Sequence, residues 1–447
     1  MLNKTRFKII DLYSKTNVHE VFDNCINEEY LSRNELLDLQ FMKLRKLLIR
    51  AYQTTKYYKK LFDEIGFIPH RIHDFNDINI IPIQTKQNIK NNFENIKSFD
   101  FNNYEPRKNR TSGSTGEPFE IYISRLTHTY LRALNYAAWH QSGYKLGDQY
   151  ASFSGGSLLP GSIGLKQKIY MKLQNCIQLP SYHLGKEYFL KYLRILQTKQ
   201  TKYIYGYASA LSDFSKEIKD NNLDFRFVKG LFSSSDMLYP AQRKLIEEVI
   251  GTKITDIYGN PESGLISYEC NEHSGYHYGM LNSYVEITDE AGKNLEQGNQ
   301  GKVVVTSLNS ECFPIIRYDN GDIASMTNEN CSCGRGLIKL TNLGGRSRDY
   351  VILRNGQHIH GAFFNHLSSI YKANWLNRYH IIQNNQDELI FQCLVNRKPT
   401  EEELNSIKNE IKTGTGNLIR IETQIVDDIP VTKMGKYKLI SREFDTN

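Results

Sequence analysis

Residues Val228–Tyr258 read VKGLFSSSDMLYPAQRKLIEEVIGTKITDIY. An apolar run at 228–233, a helical pattern at 240–250 and a second apolar run at 254–258 follow one another in this stretch. The same alternation precedes it, with a helical pattern over 186–200 and then Tyr203-Ile-Tyr-Gly-Tyr207. Short apolar runs alternating with helices predict a parallel sheet wrapped by helices, an α/β fold. Further along, the β-branched runs Ser283–Thr288 and Lys302–Leu308 flank the polar turn Asp289–Gly301 and predict a hairpin within a small barrel or sheet. Beyond Gly344-Gly345, strands near 350–354, 378–383, 388–394 and 420–426 and a helix near 400–413 predict a separate small α+β domain. Toward the N-terminus, Ser32 and Glu35 form a capping-box pair ahead of Leu37, Phe41, Leu44 and Leu48 on one helical face. Pro69, Pro82 and Pro106 then punctuate short surface elements. The expected division is a large domain over 1–345 and a small one over 346–447, with no internal repeat or low-complexity tract.

Composition narrows the class. Of 447 residues, 40% are apolar and 12% aromatic, with 29 Tyr and both charge signs interspersed, the profile of an ordered globular protein. A net charge of +7 spread along the chain reads as a solvated surface, so no nucleic-acid partner is expected. The N-terminal MLNKTRFKIIDLYSK lacks the apolar core and cleavage site of a secretory signal, and no run is long enough to span a bilayer. A cytoplasmic location without membrane insertion is the expectation. Seven Cys, an odd count in a reducing compartment, point to metal binding ahead of disulfides.

Thr111-Ser112-Gly113-Ser114-Thr115-Gly116 packs hydroxyls and glycines immediately ahead of the apolar run Phe119–Ile123. Such a loop can wrap phosphate oxygens with hydroxyls and bare amides, or it is a plain surface turn. It lacks the Gly-Lys-Ser/Thr ending of a Walker loop, which argues against a P-loop NTPase.

Four further segments, in order, carry a family resemblance. They are Tyr258-Gly259-Asn260-Pro261-Glu262, Arg317-Tyr-Asp-Asn-Gly-Asp322, Gly345-Arg346-Ser-Arg348-Asp349 and Pro430-Val-Thr-Lys-Met-Gly-Lys436. With the loop, they resemble the adenylate-forming superfamily, specifically phenylacetate-CoA ligase and its capsular-polysaccharide-biosynthesis relatives. The resemblance implies a large multi-subdomain N-terminal domain with parallel sheets and a small barrel-like part, plus a mobile α+β lid. It implies ATP-dependent formation of an acyl-adenylate with pyrophosphate release, then transfer to an acceptor. Coenzyme A is the family's best-known acceptor, and an amine in surface-polysaccharide synthesis is the alternative. A binding protein that kept the fold without the activity is the rival of another class, opposed by the retained Glu262, Asp322, Arg346 and Lys436.

By resemblance, Lys436 supplies positive charge where carboxylate and α-phosphate meet. Glu262 holds Mg2+ against the phosphates, or else caps a helix over 262–268. Asp322 accepts from the ribose hydroxyls, or is an ordinary turn residue. Tyr258 stacks on adenine, and Asp256 shares its strand end, where ligands gather in open α/β sheets. Ser235, Asp236, Gly259, Asn260 and Arg346 complete the nucleotide contacts, Asp236 standing where relatives carry glutamate. Arg348 falls at the hinge, where the family often has an acidic residue. The acyl pocket is expected among Tyr182, His183, Tyr205, Gly206, Tyr207, Ser234 and Pro261, although core packing explains such tyrosines equally well.

Cys270 and Cys331-Ser-Cys333 flank the predicted hairpin, and His273 and His277 follow Cys270. Three Cys and one His make a tetrahedral structural Zn2+ site, a Cys-x-Cys turn followed by Gly having the form of a metal knuckle. His277 is preferred and His273 is the alternative. Without metal these would be small apolar packing residues. The remaining partners are a small carboxylic acid and its acyl acceptor, and the oligomeric state is left open, a dimer included.

Overall fold

The computed structural model describes residues 2–111, 119–153, 165–179, 186–260, 262–344, 350–355, 358–360, 364, 367–371, 373–429 and 439–444. The chain forms two compact units. One comprises Met1–Tyr150, Gly164–Ile177 and Thr255–Asn342, the other Ala151–Ile163, Gln178–Ile254 and Leu343–Asn447. Among the described residues no helix is long and apolar enough to cross a membrane.

In the first unit the Ser32 capping box opens the helix Arg33–Thr54, its side chain accepting from Glu35 N while Glu35 reaches back. The buried face runs through Leu36, Gln40, Leu44, Leu47, Leu48 and Ala51. Leu37 and Phe41, expected inside, are only half-buried. Gln40 takes its place in the core because its amide donates to Met280 O and Ser283 O, both at 2.8 Å, so burial leaves it satisfied.

Seven strands follow one another in space in the order Ser283–Thr288, Gly301–Ser307, Tyr318–Thr327, Lys339–Thr341, Tyr276–Tyr278, Gly264–Glu269 and Ile254–Asn260. Each is antiparallel to the next. The expected hairpin is present, with Ser283 opposite Ser307 and Thr288 opposite Lys302. The helix considered over 262–268 does not form. Gly264–Glu269 is a strand because both its edges are paired, with Ile254–Asn260 on one side and Tyr276–Tyr278 on the other. Tertiary pairing overrides local pattern there.

In the second unit Tyr203–Tyr207 and Gly230–Ser234 pair in parallel, joined through the helix Ala208–Asp220, as the alternating pattern predicts. The C-terminal portion is a four-stranded sheet ordered Arg420–Val426, Glu388–Val395, Leu376–Asn385 and Ile440–Arg442. Thr400 caps the helix Glu401–Gly414 in a second capping box. Its Ile407 and Ile411 are both 0% exposed and share a cluster with Tyr379, Ile381, Leu389 and Phe391. Each such side chain contributes about 1.5–3 kcal/mol by leaving water. The mixed α/β architecture with a small α+β C-terminal portion is the expected fold class.

Candidate functional site

Two segments distant in sequence, 258–262 and 318–322, come together in the first unit. The Tyr258 hydroxyl donates to Asp322 Oδ2 at 2.8 Å and accepts from Asn320 Nδ2 at 2.7 Å. The Tyr318 hydroxyl donates to Glu262 Oε1 at 3.4 Å, bringing the Glu262 carboxylate to the same group. Burial first, then the Asp322 charge, holds the Tyr258 phenol well above its ordinary value, so it stays a neutral donor. Asn320 also orients the turn by accepting from Asp322 N at 3.0 Å, and Asp319 accepts from Gly321 N at 2.8 Å. Asn260 accepts from Ser263 N at 2.6 Å across the bend between its strand and the next. Gly259 is required by close approach, since a Cβ there would lie 2.3 Å from Gly264 O. Asp256 is buried and accepts from the Tyr276 hydroxyl at 2.9 Å, so it braces the strand from beneath.

Arg317 fixes where this turn begins. It is 1% exposed and pairs with the Glu286 carboxylate at 3.0 and 3.1 Å. Its remaining donors reach Asn79 O, Ile81 O and Gly292 O. Its backbone is left-handed, φ 46°, a strained conformation for a long side chain that this network holds in place. A buried ion pair contributes specificity more than stability. Arg317, Tyr318 and Asn320 lie in the segment whose expected role rested on Asp322 alone, and the aromatic and amide beside that carboxylate were the available signal.

In the other unit, Tyr205, Gly206 and Tyr207 lie on the strand paired with Gly230–Ser234, Tyr207 directly opposite Ser234. Tyr205 and Tyr207 are half-buried and Gly206 buried. Glycine at 206 follows from packing, because a Cβ would come within 2.8 Å of Phe153 Cβ. Ser235 is exposed and left-handed, φ 76°. The two oxygens of Asp236 accept from Ala208 N at 2.6 Å and Ser209 N at 3.2 Å. Tyr207, the residue before that helix, makes no side-chain cap, so Asp236 caps the helix from across the strand ends. Both oxygens of Asp236 are thereby tied to the start of that helix, which fixes the Ser234–Asp236 turn.

Cys270, His277, Cys331 and Cys333 converge, their donor atoms all within 4.8 Å of one another. Cys270 and Cys331 sulfurs are 3.6 Å apart and Cys333 Sγ is 3.4 Å from His277 Nε2. A tetrahedral zinc with Zn–S of ~2.3 Å and Zn–N of ~2.0 Å has S···S and S···N edges of roughly 3.8 and 3.5 Å, which these two distances approach. The alternative His273 turns away, its Nδ1 3.3 Å from Glu269 Oε2. Burial, with the Arg335 charge second, holds His277 down at about 4, leaving a neutral imidazole lone pair at neutral pH. Burial pushes the Cys270 thiol up to about 12. Cys331, against the upward push of its own burial, is drawn down to about 7 by hydrogen bonds from Ser274 and its neighbours. Arg335, just past Cys333, binds the buried Glu29 at 2.8 Å and ties the knuckle to the N-terminal helices.

Thr111 ends the strand Arg107–Thr111. Ser112, Gly113, Ser114, Thr115, Gly116, Tyr182, His183, Pro261, Arg346, Arg348 and Lys436 lie outside the described residues.

Residues 351–443 match the family of the CapK C-terminal domain. The chain is 26% identical over 338 residues to a phenylacetate-coenzyme A ligase of Thermus thermophilus, covering 73% of this chain and 74% of that one. It is 24% identical over 418 residues to Protein CapK of Staphylococcus aureus, covering 90% and 88%. Among solved structures, a 2-hydroxyisobutyryl-CoA ligase in the postadenylation state with a bound acyl-AMP matches with TM-score 0.75 at 19% identity, covering 93% of this chain and 91% of that one. The chain has the fold of the adenylate-forming ligases. In sequence it is similar to phenylacetate-CoA ligases and to CapK.

Proposed function

We propose that this protein is an AMP-forming acid ligase that activates a small carboxylic acid with Mg-ATP and passes the acyl group to a thiol, coenzyme A being the acceptor favoured by its ligase relatives. One carboxylate oxygen bonds to the α-phosphorus of ATP and pyrophosphate leaves; the acceptor then attacks the acyl carbon and AMP leaves. The observation that carries this reading is the convergence of Tyr258, Asp322 and Asn320, with Glu262 joined through Tyr318.

In this scheme Asp322, oriented by Tyr258, receives the ribose hydroxyls, and Glu262 offers an oxygen ligand suited to Mg2+. Mg2+ neutralises phosphate charge when bound. The Thr111–Gly116 loop and Arg346 hold phosphate and ribose. The Tyr205–Tyr207 and Ser234–Asp236 segments, with Tyr182, His183 and Pro261, border the acid. Lys436 belongs to a lid over 346–447 that turns about Arg348, and its charge is needed where two anions meet, a demand largest in the transition state. Cys270, His277, Cys331 and Cys333 hold a structural Zn2+, which cross-links their turns when bound. An ATP- and thiol-dependent enzyme of this kind belongs in the cytoplasm.

A second reading, transfer to an amine in surface-polysaccharide synthesis, draws support from the CapK likeness, which extends over 90% of the chain and includes the C-terminal portion.

The deciding measurement is ATP–pyrophosphate exchange across aryl, fatty and amino acids, followed by trapping with coenzyme A or with amines. If no acid supports exchange and ATP with Mg2+ leaves the melting temperature unmoved, the ligase reading fails.

A further inference from the structure

We propose that Arg378 is a positioning residue for adenylation, docking the C-terminal sheet onto the first two turns of the Ala208–Asp220 helix; this rests on the ligase reading above. Arg378 lies on the strand Leu376–Asn385 at a register irregularity between Leu376 and Arg378, the kind of break that re-aims a side chain. The side chain is only 8% exposed. Its Nη2 donates to Asp213 Oδ2 at 2.7 Å and to Ser209 O at 3.0 Å. The next residue, Tyr379, stacks on Phe391 at 4.8 Å and meets Tyr239 with ring centroids 5.9 Å apart. Tyr239 immediately precedes the helix Pro240–Ile250, so a second contact flanks the ion pair.

Ser209 is the link to chemistry. Its N–H goes to Asp236, which orients the Ser234–Asp236 turn, and its carbonyl goes to Arg378. One residue is therefore held from both sides, by a carboxylate at the substrate segment and by a guanidinium from the C-terminal sheet. Burial raises the Asp236 carboxyl, the Ser209 and Ala208 hydrogen bonds oppose this, and the Arg378 charge adds to the opposition. On the sheet side, Arg378 shares its strand with Ile381–Gln383, which pair in parallel with Ile440–Arg442. That short strand follows Lys436 by a few residues in the chain. Anchoring Arg378 thus anchors the strand that leads away from the reacting lysine, and it does so at the turn expected to border nucleotide and acid.

The two half-reactions separate this role from a merely structural one. With an acid identified by exchange, Arg378→Ala should lower kcat for ATP–pyrophosphate exchange by about 30-fold, with KM for ATP and acyl transfer from preformed acyl-adenylate each within about threefold. Arg378→Lys, which keeps the charge without the planar fork, should recover part of the loss, and the exchanged pair Asp213→Arg with Arg378→Asp should recover exchange above either single variant. Equal loss of both half-reactions together with a lowered melting temperature, or unimpaired exchange, overturns the proposal. If Arg378→Ala does not fold, Asp213→Asn is read against the same two outcomes. Absence of exchange in the wild type would instead overturn the ligase reading. Docking is then measured by itself, as the distance distribution between spin labels at the exposed Asn221 and Asn409. It should broaden in Arg378→Ala, and an unchanged distribution refutes the docking role.

Discussion

The Cys270–Cys333 cluster and the Tyr258–Asp322 cluster stand on the same succession of antiparallel strands, yet they are completed in opposite ways. The first closes on itself: two turns and one strand bring four donors within 4.8 Å, and Arg335 clamps the knuckle from outside. The second is an open half-site, a tyrosine, an amide and two carboxylates whose phosphate loop and lysine belong to other segments. The contrast fits the chemistry proposed for each cluster. A structural metal site gains by shutting out solvent and exchange, whereas a site that admits ATP and releases AMP must be assembled and dismantled each turnover.

The largest effect that probes this contrast is on the open site. Lys436→Ala should cut acid-dependent pyrophosphate exchange roughly 10²–10³-fold while ATP affinity, read by calorimetry, stays nearly unchanged. An equal loss of both would make the lysine a ground-state binder and remove the need for assembly in each turnover. For the closed site, Cys331→Ser with Cys333→Ser should abolish one equivalent of bound zinc by elemental analysis and lower the melting temperature together. A wild-type protein that never contains zinc and does not change on chelation would erase the contrast.

Acid provides the next separation. Unfolded His277 takes up its proton near pH 6.5, the folded residue only near 4. Between these values protons favour the unfolded state, so the chelated protein loses stability as pH falls through that window, by about 3 kcal/mol at most. His277→Asn should flatten this part of the stability profile in denaturant titrations. An unaltered profile would mean that the imidazole is not buried neutral. Tyr258, held above its ordinary value, takes no part in that window. The smallest effect is expected from Tyr258→Phe, which removes the hydroxyl orienting Asp322 and should slow exchange about tenfold with the fold intact. No change would show that Asp322 is held by Asn320's turn alone.

Legibility differed with the range of the interaction. The Ser32 capping box, the Ser283–Ser307 hairpin and the C-terminal strand and helix positions are local patterns, and they appear where the sequence places them. The buried face of Arg33–Thr54 is displaced from the expected one because Gln40 finds acceptors at Met280 and Ser283, residues 240 and 243 positions away. The Gly264–Glu269 strand is not legible locally, since its identity depends on two partners. Sequence spacing prefers His277 only slightly over His273, and the structure separates them by grouping His277 with the cysteines and His273 with the Glu269 carboxylate. That Asp236 caps the helix starting at Ala208 is likewise not legible, because nothing local reveals that this helix lacks a cap of its own.

By itself the sequence determined the α/β class, the order of the motifs, the three cysteine donors with their two candidate histidines, and the residue types able to meet phosphate, ribose and Mg2+. The class and the metal donors follow from periodicity and the donor character of side chains, all properties of short stretches, whereas the motifs for phosphate, ribose and Mg2+ follow from the family resemblance. Only the tertiary structure decided that Tyr258 orients Asp322, that His277 closes the cluster, that Arg317 is a buried frame and that Ser209 is held between Asp236 and Arg378. Those facts depend on distances between segments far apart in the chain, which are set by the packing of whole strands and helices and leave no periodic trace in the residues that meet.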